Sequence, residues 1–140
     1  MGASNCIFCK IAAGDIPSMR IWETPKLLAF LDVGPLAHGH TLLIPKQHFE
    51  SILDVQEDVL SSMARQLPTL AGAIIRATGA TGLNVLQNTG KSSGQEVFHL
   101  HVHLIPRREG DALGYRWNAG AYAEGQGEAM QSRIIGEIPS

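Results

Sequence analysis

The sequence has no long apolar run: its longest unbroken stretch, Leu27 to Leu31, is far short of the ~20 residues a membrane span needs, so no membrane partner is expected. Charge of one sign is also missing. Eleven Lys and Arg against thirteen Asp and Glu leave a net charge of −2. Without a positive field to displace counterions, a nucleic-acid polymer is not an expected partner. Cysteine is scarce: Cys6 and Cys9, three positions apart, are too few and too close for the disulfide framework of a secreted domain. The opening residues lack a basic segment followed by an apolar one, and the expectation is a cytoplasmic protein. Repeats and linkers are absent, and the only loosely composed stretch runs from Gly120 to Gly127. The 140 residues therefore read as one domain, 1–140.

What is there reads as mixed α+β. Arg20 to Glu23, Lys26 to Asp32 and Thr41 to Ile44 look like short strands, the last closed by Pro45. Asp54 with Glu57 resembles a capping box, opening a long helix whose Leu60, Met63, Leu67, Leu70 and Ile74 recur at helical spacing down to Gly79. Pro68 is expected to kink it. Leu83 to Asn88 and Phe98 to Ile105 read as a further strand pair, and a last helix is expected around Met130 to Ile135. The whole predicts an antiparallel sheet of about five strands with one long helix and short flanking helices.

Three of the six histidines stand at period two in His99-Leu100-His101-Val102-His103-Leu104. In an extended chain the imidazoles share one face while Leu100, Val102 and Leu104 point into a core. One strand histidine is ordinarily a satisfied structural residue; three on one face call for a polar partner. At a rise of ~3.3 Å per residue the outer two stand ~13 Å apart, too far to ligate one ion together. A phosphate group suits them better, because one imidazole can attack phosphorus while its neighbour protonates the departing atom. The middle residue, His101, is the natural nucleophile, with His103 as the acid and His99 left to orient the site or bind something else. The upstream loop, Gly90-Lys91-Ser92 and Gly94-Gln95, is rich in backbone N–H groups suited to phosphate oxygens. It is not a Walker A loop, since Val85 occupies the place of the first glycine.

The run from Gly94-Gln95-Glu96-Val97 through His99-Leu-His-Val-His103-Leu-Ile resembles the signature of the histidine triad (HIT) superfamily. Phe30-Leu31-Asp32 and the stretch from His40 to His48 extend the likeness, which covers about residues 6–106 and leaves 107–140 as a divergent tail. The resemblance implies a homodimer that binds purine nucleoside monophosphates or their derivatives. It implies cleavage at the α-phosphate of nucleoside phosphoramidates through a nucleotidyl intermediate on His101. It makes His103 the acid, His99 and His40 the residues that polarise the phosphate site, and Asp32 the acceptor of the ribose hydroxyls. Asn88 and the N–H groups of Gly94, Gln95 and Glu96 would hold the α-phosphate. Ile7, Phe8, Phe30, Val33 and Leu42 would sandwich the base, although a plain core role fits these five equally. The superfamily often has Ser or Thr where this chain has Glu96, and a carboxylate there repels phosphate, so only backbone contact is expected of it.

Asp32 and the short N-terminal helix resemble the phosphoramidase branch, whereas Pro106 to Asp111 resembles the dinucleoside polyphosphate hydrolase branch. The first is favoured and the second kept as the alternative. A non-catalytic nucleotide-sensing module and a metal-storing histidine surface are readings of other classes. Cys6 and Cys9 at metal-ligand spacing, with His48 and His99, make a Cys2His2 set for a structural zinc ion, as in some relatives; buried thiols or a redox pair are the other readings. Trp117 and Tyr115 lie in the tail, where members of the superfamily often place residues that reach the partner subunit's pocket and tune substrate choice; ordinary core aromatics are the other reading.

Overall fold

The computed structural model describes residues 5–113, 117 and 119–139; Tyr115 lies outside them. Along the chain come α1 (Ile7–Ala13), β1 (Arg20–Glu23), β2 (Leu27–Leu31), β3 (Thr41–Pro45), α2 (Glu57–Thr78), β4 (Gly82–Leu86), β5 (Val102–Arg107) and α3 (Gln126–Glu137). The strands form one antiparallel sheet in the order β1-β2-β3-β5-β4, so the expected five-stranded α+β architecture is the one observed.

Strands β2 and β3 read as unbroken apolar runs because both sheet faces are covered. Period two divides each strand between two cores. Ala29, Leu31 and Leu43 face Met63, Leu70 and Ile74 of α2 and Met130 and Ile134 of α3. Leu28, Phe30, Leu42 and Ile44 face the opposite way, against Cys6, Phe8 and Ile11 around α1. Leu100, Val102 and Leu104 belong to the first core. The alternating histidines are thereby turned to the α1 face, which is how the hydrophobic pattern positions the site.

Three expectations change in detail. The ladder of β5 begins at Val102, not Phe98, and its pairing with β3 runs only from Thr41↔Leu104 to Leu43↔Val102. Further along β3 stands Pro45, which has no N–H to donate, and its carbonyl meets the His99 ring instead, Nε2 lying 2.7 Å away. His99 and His101 therefore precede the strand, His99 in a bend. Asp54 does not cap α2: its carboxylate closes a turn by accepting from Ser51 N at 2.9 Å and Glu50 N at 3.1 Å, and Gln56 is the N-cap. Helix α2 continues through Pro68 to Thr78, and α3 extends beyond the expected six residues in both directions. Among the described residues no helix is long and apolar enough to cross a membrane.

The turn before β3 delivers His40 and depends on Gly39. At φ +101° this residue occupies backbone space that favours glycine, and a Cβ there would lie 2.6 Å from Thr78 Cγ2. Tyr122 Oη accepts from Gly39 N at 2.7 Å and pins the same turn. Gly39→Ala is expected to lose about 1–3 kcal/mol in a urea titration. Gly136→Ala, a helical position with open space around it, is expected to gain about 0.5–1 kcal/mol. The opposite signs separate a conformational requirement from a general glycine effect.

Candidate functional site

The segment before β5 and the start of the strand bring His101 and His103 side by side, with ring centroids 4.9 Å apart. His40, at the entry to β3, meets His103 with Nε2 2.9 Å from Nδ1. All four of His40, His99, His101 and His103 are buried. Desolvation by that burial is the main force on their acidity: it lowers His40 and His99 to about 4 and His103 to about 3, and moves His101 in the same direction. The rings are neutral at pH 7, and each carries one N–H and one lone pair.

Backbone groups decide which nitrogen carries which. A carbonyl only accepts, so His101 Nδ1, 2.7 Å from His99 O, holds the proton and Nε2 keeps the lone pair. A backbone N–H only donates, so His40 Nδ1 accepts from Leu36 N at 3.0 Å and its proton sits on Nε2. That proton is directed to His103 Nδ1, which leaves His103 with its N–H on Nε2. Two adjacent rings thus present opposite functions, a nucleophilic lone pair on His101 and a donor on His103. Asp32 Oδ2 lies 3.7 Å from His40 Nε2, and its Oδ1 accepts from Gly34 N at 2.9 Å. Burial, with the charge of Glu96 adding to it, holds the Asp32 carboxyl above its usual range. Asp32, His40 and His103 also have spacings that a metal ion tolerates. Ligation through His40 Nε2 would require an imidazolate, because Nδ1 already accepts from Leu36, so the tautomers do not suit this group to a metal ion.

His101 and His103 line a cavity of about 930 Å³ that runs beneath α1. Of the residues expected to hold a nucleotide, Ile7, Phe8, Phe30, Val33, Leu42, Asp32, Asn88, Gly94 and Glu96 also line it. Phe8 presents its ring edge-on to Phe30 at 5.6 Å and to His101 at 5.0 Å, so the five apolar residues divide between two tasks: Phe8, Phe30 and Leu42 are buried core that also forms the wall, whereas Ile7 and Val33 are exposed. Gln95 is placed otherwise. Its side chain accepts from Gly90 N at 2.8 Å and donates to Glu50 O at 2.7 Å and Val97 O at 3.1 Å, bracing the loop. The backbone N–H groups expected for phosphate also differ: Gly94 N bonds to Lys91 O and Gln95 N to Gly90 O, because the loop closes on itself as a short 3₁₀ turn, Lys91–Ser93.

One participant left no trace in the sequence, and for another the sequence left two readings open. Leu36 acts through its backbone N–H, to which residue identity gives no clue. Trp117, in the glycine-rich tail, stands edge-on to His103 at 4.8 Å and to His40 at 5.8 Å, is 46% exposed and lines the cavity. Arg107 and Arg108, in the stretch that resembles the dinucleoside polyphosphate hydrolase branch, make contacts within the fold. Arg107 forms a fork with Asp111 (2.8 and 3.0 Å) and reaches Asn84 at 2.6 Å, while Arg108 covers the carbonyls of Thr78 and Gly79 at the end of α2. The guanidinium of Arg107 in turn holds the Asp111 carboxyl well below the usual carboxylate range.

At the other end of the histidine segment, Cys6, Cys9, His48 and His99 place their donor atoms within 4.8 Å of one another. Cys6 is the N-cap of α1, its Sγ accepting from Cys9 N, so one helix start presents both thiols. Sγ of Cys6 and of Cys9 each lie 3.4 Å from His99 Nδ1, and Cys9 Sγ lies 3.3 Å from His48 Nδ1. Tetrahedral zinc sets neighbouring sulfur and nitrogen donors about 3.6 Å apart. The His99 ring donates from Nε2 to Pro45 O, which leaves Nδ1 its lone pair towards the thiols. Burial, and then its contact with Cys6, pushes the Cys9 thiol up to about 11. The donor set therefore fits a structural zinc ion in type, spacing and tautomer.

An antiparallel α+β fold that turns three alternating imidazoles onto one covered face, with a fourth completing a relay, defines a histidine-triad protein. The HIT domain family model matches residues 13–110, and the chain belongs to that family. It is 41% identical over 110 residues to adenylylsulfatase HINT3 of Arabidopsis thaliana, covering 79% of this chain but little more than half, 56%, of that protein. It is 38% identical over 135 residues to adenosine 5′-monophosphoramidase hnt1 of Schizosaccharomyces pombe, 96% of this chain and 98% of that one. A solved Zn-bound histidine triad family protein from Mycobacterium smegmatis superposes with a TM-score of 0.86 at 34% identity, over 98% of this chain and 95% of that one.

The tautomers are directly measurable. Long-range ¹H–¹⁵N correlation spectra at pH 5.5 and at pH 7 should both show His40 and His103 neutral and protonated at Nε2. Because their folded pKa values lie below the unfolded value near 6.5, unfolded chains bind protons that the folded protein excludes. Stability is therefore full above about pH 6.5 and falls as the pH drops towards 4.

Proposed function

We propose that this protein cleaves nucleoside phosphoramidates at the α-phosphate, using His101 as nucleophile. The observation that carries the reading is the pair of opposite tautomers facing one cavity, a lone pair on His101 Nε2 beside an N–H on His103 Nε2. The phosphoramidase and adenylylsulfatase relatives act on adenylyl compounds by name, which supports a nucleotide substrate.

In the proposed reaction a purine base lies between Ile7, Phe8, Phe30, Val33 and Leu42, and Asp32 accepts from the ribose hydroxyls. Asn88 and the backbone at Glu96 approach the α-phosphate. His101 Nε2 forms a bond to phosphorus as the bond from phosphorus to the leaving nitrogen breaks. His103 Nε2 passes its proton to that nitrogen while the His40 Nε2 proton moves to His103 Nδ1 and a solvent proton replaces it on His40, so both rings stay neutral as the amine departs. His103 then takes a proton from water, whose oxygen attacks phosphorus and releases the nucleoside monophosphate with His101 restored. His40 gives its proton to His103 Nδ1 in the first step and takes it back in the second, when His103 Nε2 has accepted the proton of water.

Zinc at Cys6, Cys9, His48 and His99 serves as a structural tie when bound. It fastens α1, and with it Phe8, to the segment that carries His101. About one zinc per chain is expected by elemental analysis of protein grown in zinc-supplemented medium, lost in Cys6→Ser together with several degrees of thermal midpoint. The chain works as a cytoplasmic homodimer. β4 supports the pairing as an edge strand with Val85 51% and Leu86 36% exposed. A monomer at micromolar concentration in light scattering would contradict that part.

The catalytic reading is tested with an adenosine phosphoramidate. Intact-protein mass spectrometry during turnover should show one AMP adduct that maps to His101. His101→Ala should reduce turnover at least about 10³-fold while nucleotide affinity stays within about tenfold. Unchanged turnover in that variant would refute the mechanism.

A further inference from the structure

Resting on the phosphoramidate reading above, we infer that the cavity selects substrates whose leaving group carries a positive charge, and that Glu96 is the residue that selects them. Glu96 lines the cavity from the loop before β5, is exposed, and has no hydrogen bond or ion pair among the described residues. Its charge is felt across the cavity at Asp32. Asp32 itself accepts from Gly34 N–H, and in the proposed reaction from ribose, so Glu96 is the spare anion.

Among the described lining residues the one fixed cation is Arg107, which is already paired with an anion. The imidazoles are neutral, and the guanidinium of Arg107 is held in a fork by Asp111. A polyphosphate leaving group would bring several negative charges to a wall that already carries carboxylates. An ammonium group would find the reverse.

A second feature points the same way. The proton donor has to reach the departing atom, so the leaving group lies on the His103 side of phosphorus. There Trp117 stands 4.8 Å from the His103 ring with an indole 46% exposed. Indole faces attract organic cations, while a carboxylate at the rim adds a longer-range pull. The same two groups discriminate against an anionic tail.

The test uses the full chain and three adenosine 5′-phosphoramidates of equal reach, made from 1,6-diaminohexane, hexylamine and 6-aminohexanoic acid. At low ionic strength kcat/KM should fall in the order ammonium, neutral, carboxylate by about five- to tenfold per step, and the spread should narrow in about 0.5 M salt. Glu96→Gln should bring the ammonium-to-neutral ratio close to one, and Glu96→Asp should retain most of it. Ratios cancel any loss that affects all three compounds alike. Equal rates for the three in the parent chain, or a ratio that Glu96→Gln leaves unchanged, overturn the inference. Should none be cleaved, the phosphoramidase reading fails by itself, and the dissociation constants of the three intact compounds then decide charge selection by the same ratios.

Discussion

The hydrogen bond from His101 Nδ1 to the carbonyl of His99, 2.7 Å long, organises this molecule more than any other polar contact. A neutral imidazole has one proton for two nitrogens, so committing Nδ1 to a carbonyl commits Nε2 to being a base. The same logic operates at each neighbour. Leu36 N–H fixes His40, His40 fixes His103, and Pro45 O fixes His99. The fixing atoms are backbone, or are themselves fixed by backbone. Burial is what makes the scheme hold, because an accessible imidazole would accept a second proton in mild acid and lose the distinction between its nitrogens.

That burial comes from a sheet covered on both faces. Helices α2 and α3 close one face, and the short α1 with Cys6 and Phe8 closes part of the other. Phe8 touches Phe30, His99 and His101 edge-on, so one aromatic ring is shared by the core, the Cys2His2 quartet and the His101 imidazole. His99 is shared in another sense: its ring turns to the thiols while its carbonyl holds His101. Order imposed at Cys6 and Cys9 is thus passed to His101 through two covalently continuous groups rather than through a long path.

Much of this was legible because side-chain alternation in an extended chain is a geometric necessity. Leu100, Val102 and Leu104 had to share a core, and the imidazoles then had to face the other way. The quartet of Cys6, Cys9, His48 and His99 followed from ligand type and spacing, and the structure brings the four together. What escaped was set by groups whose identity carries no signal. The N–H groups of Gly94 and Gln95 looked available for phosphate, yet loop closure engages them. Strand β5 starts late because Pro45 lies where the ladder would continue. The stretch from Pro106 to Asp111 resembled the alternative branch, and its Arg107 and Arg108 are taken up by Asp111 and the end of α2. Trp117 sits in a stretch without periodicity, where no pattern assigns a side chain to core or cavity.

A cavity of neutral rings is an unexpected place to bind phosphate, and the proposed chemistry gives the reason. Full positive charges on His101 and His103 would grip a bound nucleotide as tightly before reaction as during it, which lowers the ground state along with the barrier. Here the positive charge is absent at first and appears on His101 only as its Nε2 bonds to phosphorus. Attraction between that ring and the phosphoryl oxygens therefore grows along the reaction coordinate, in a cavity whose burial weakens screening. In the proposed chemistry the depressed basicity that costs the protein stability in acid also keeps the nucleophile unprotonated, and the bond to His40 is the route by which the His103 imidazole recovers the proton it gives up. The geometry that excludes charge from the resting site is thus the geometry that makes developing charge effective.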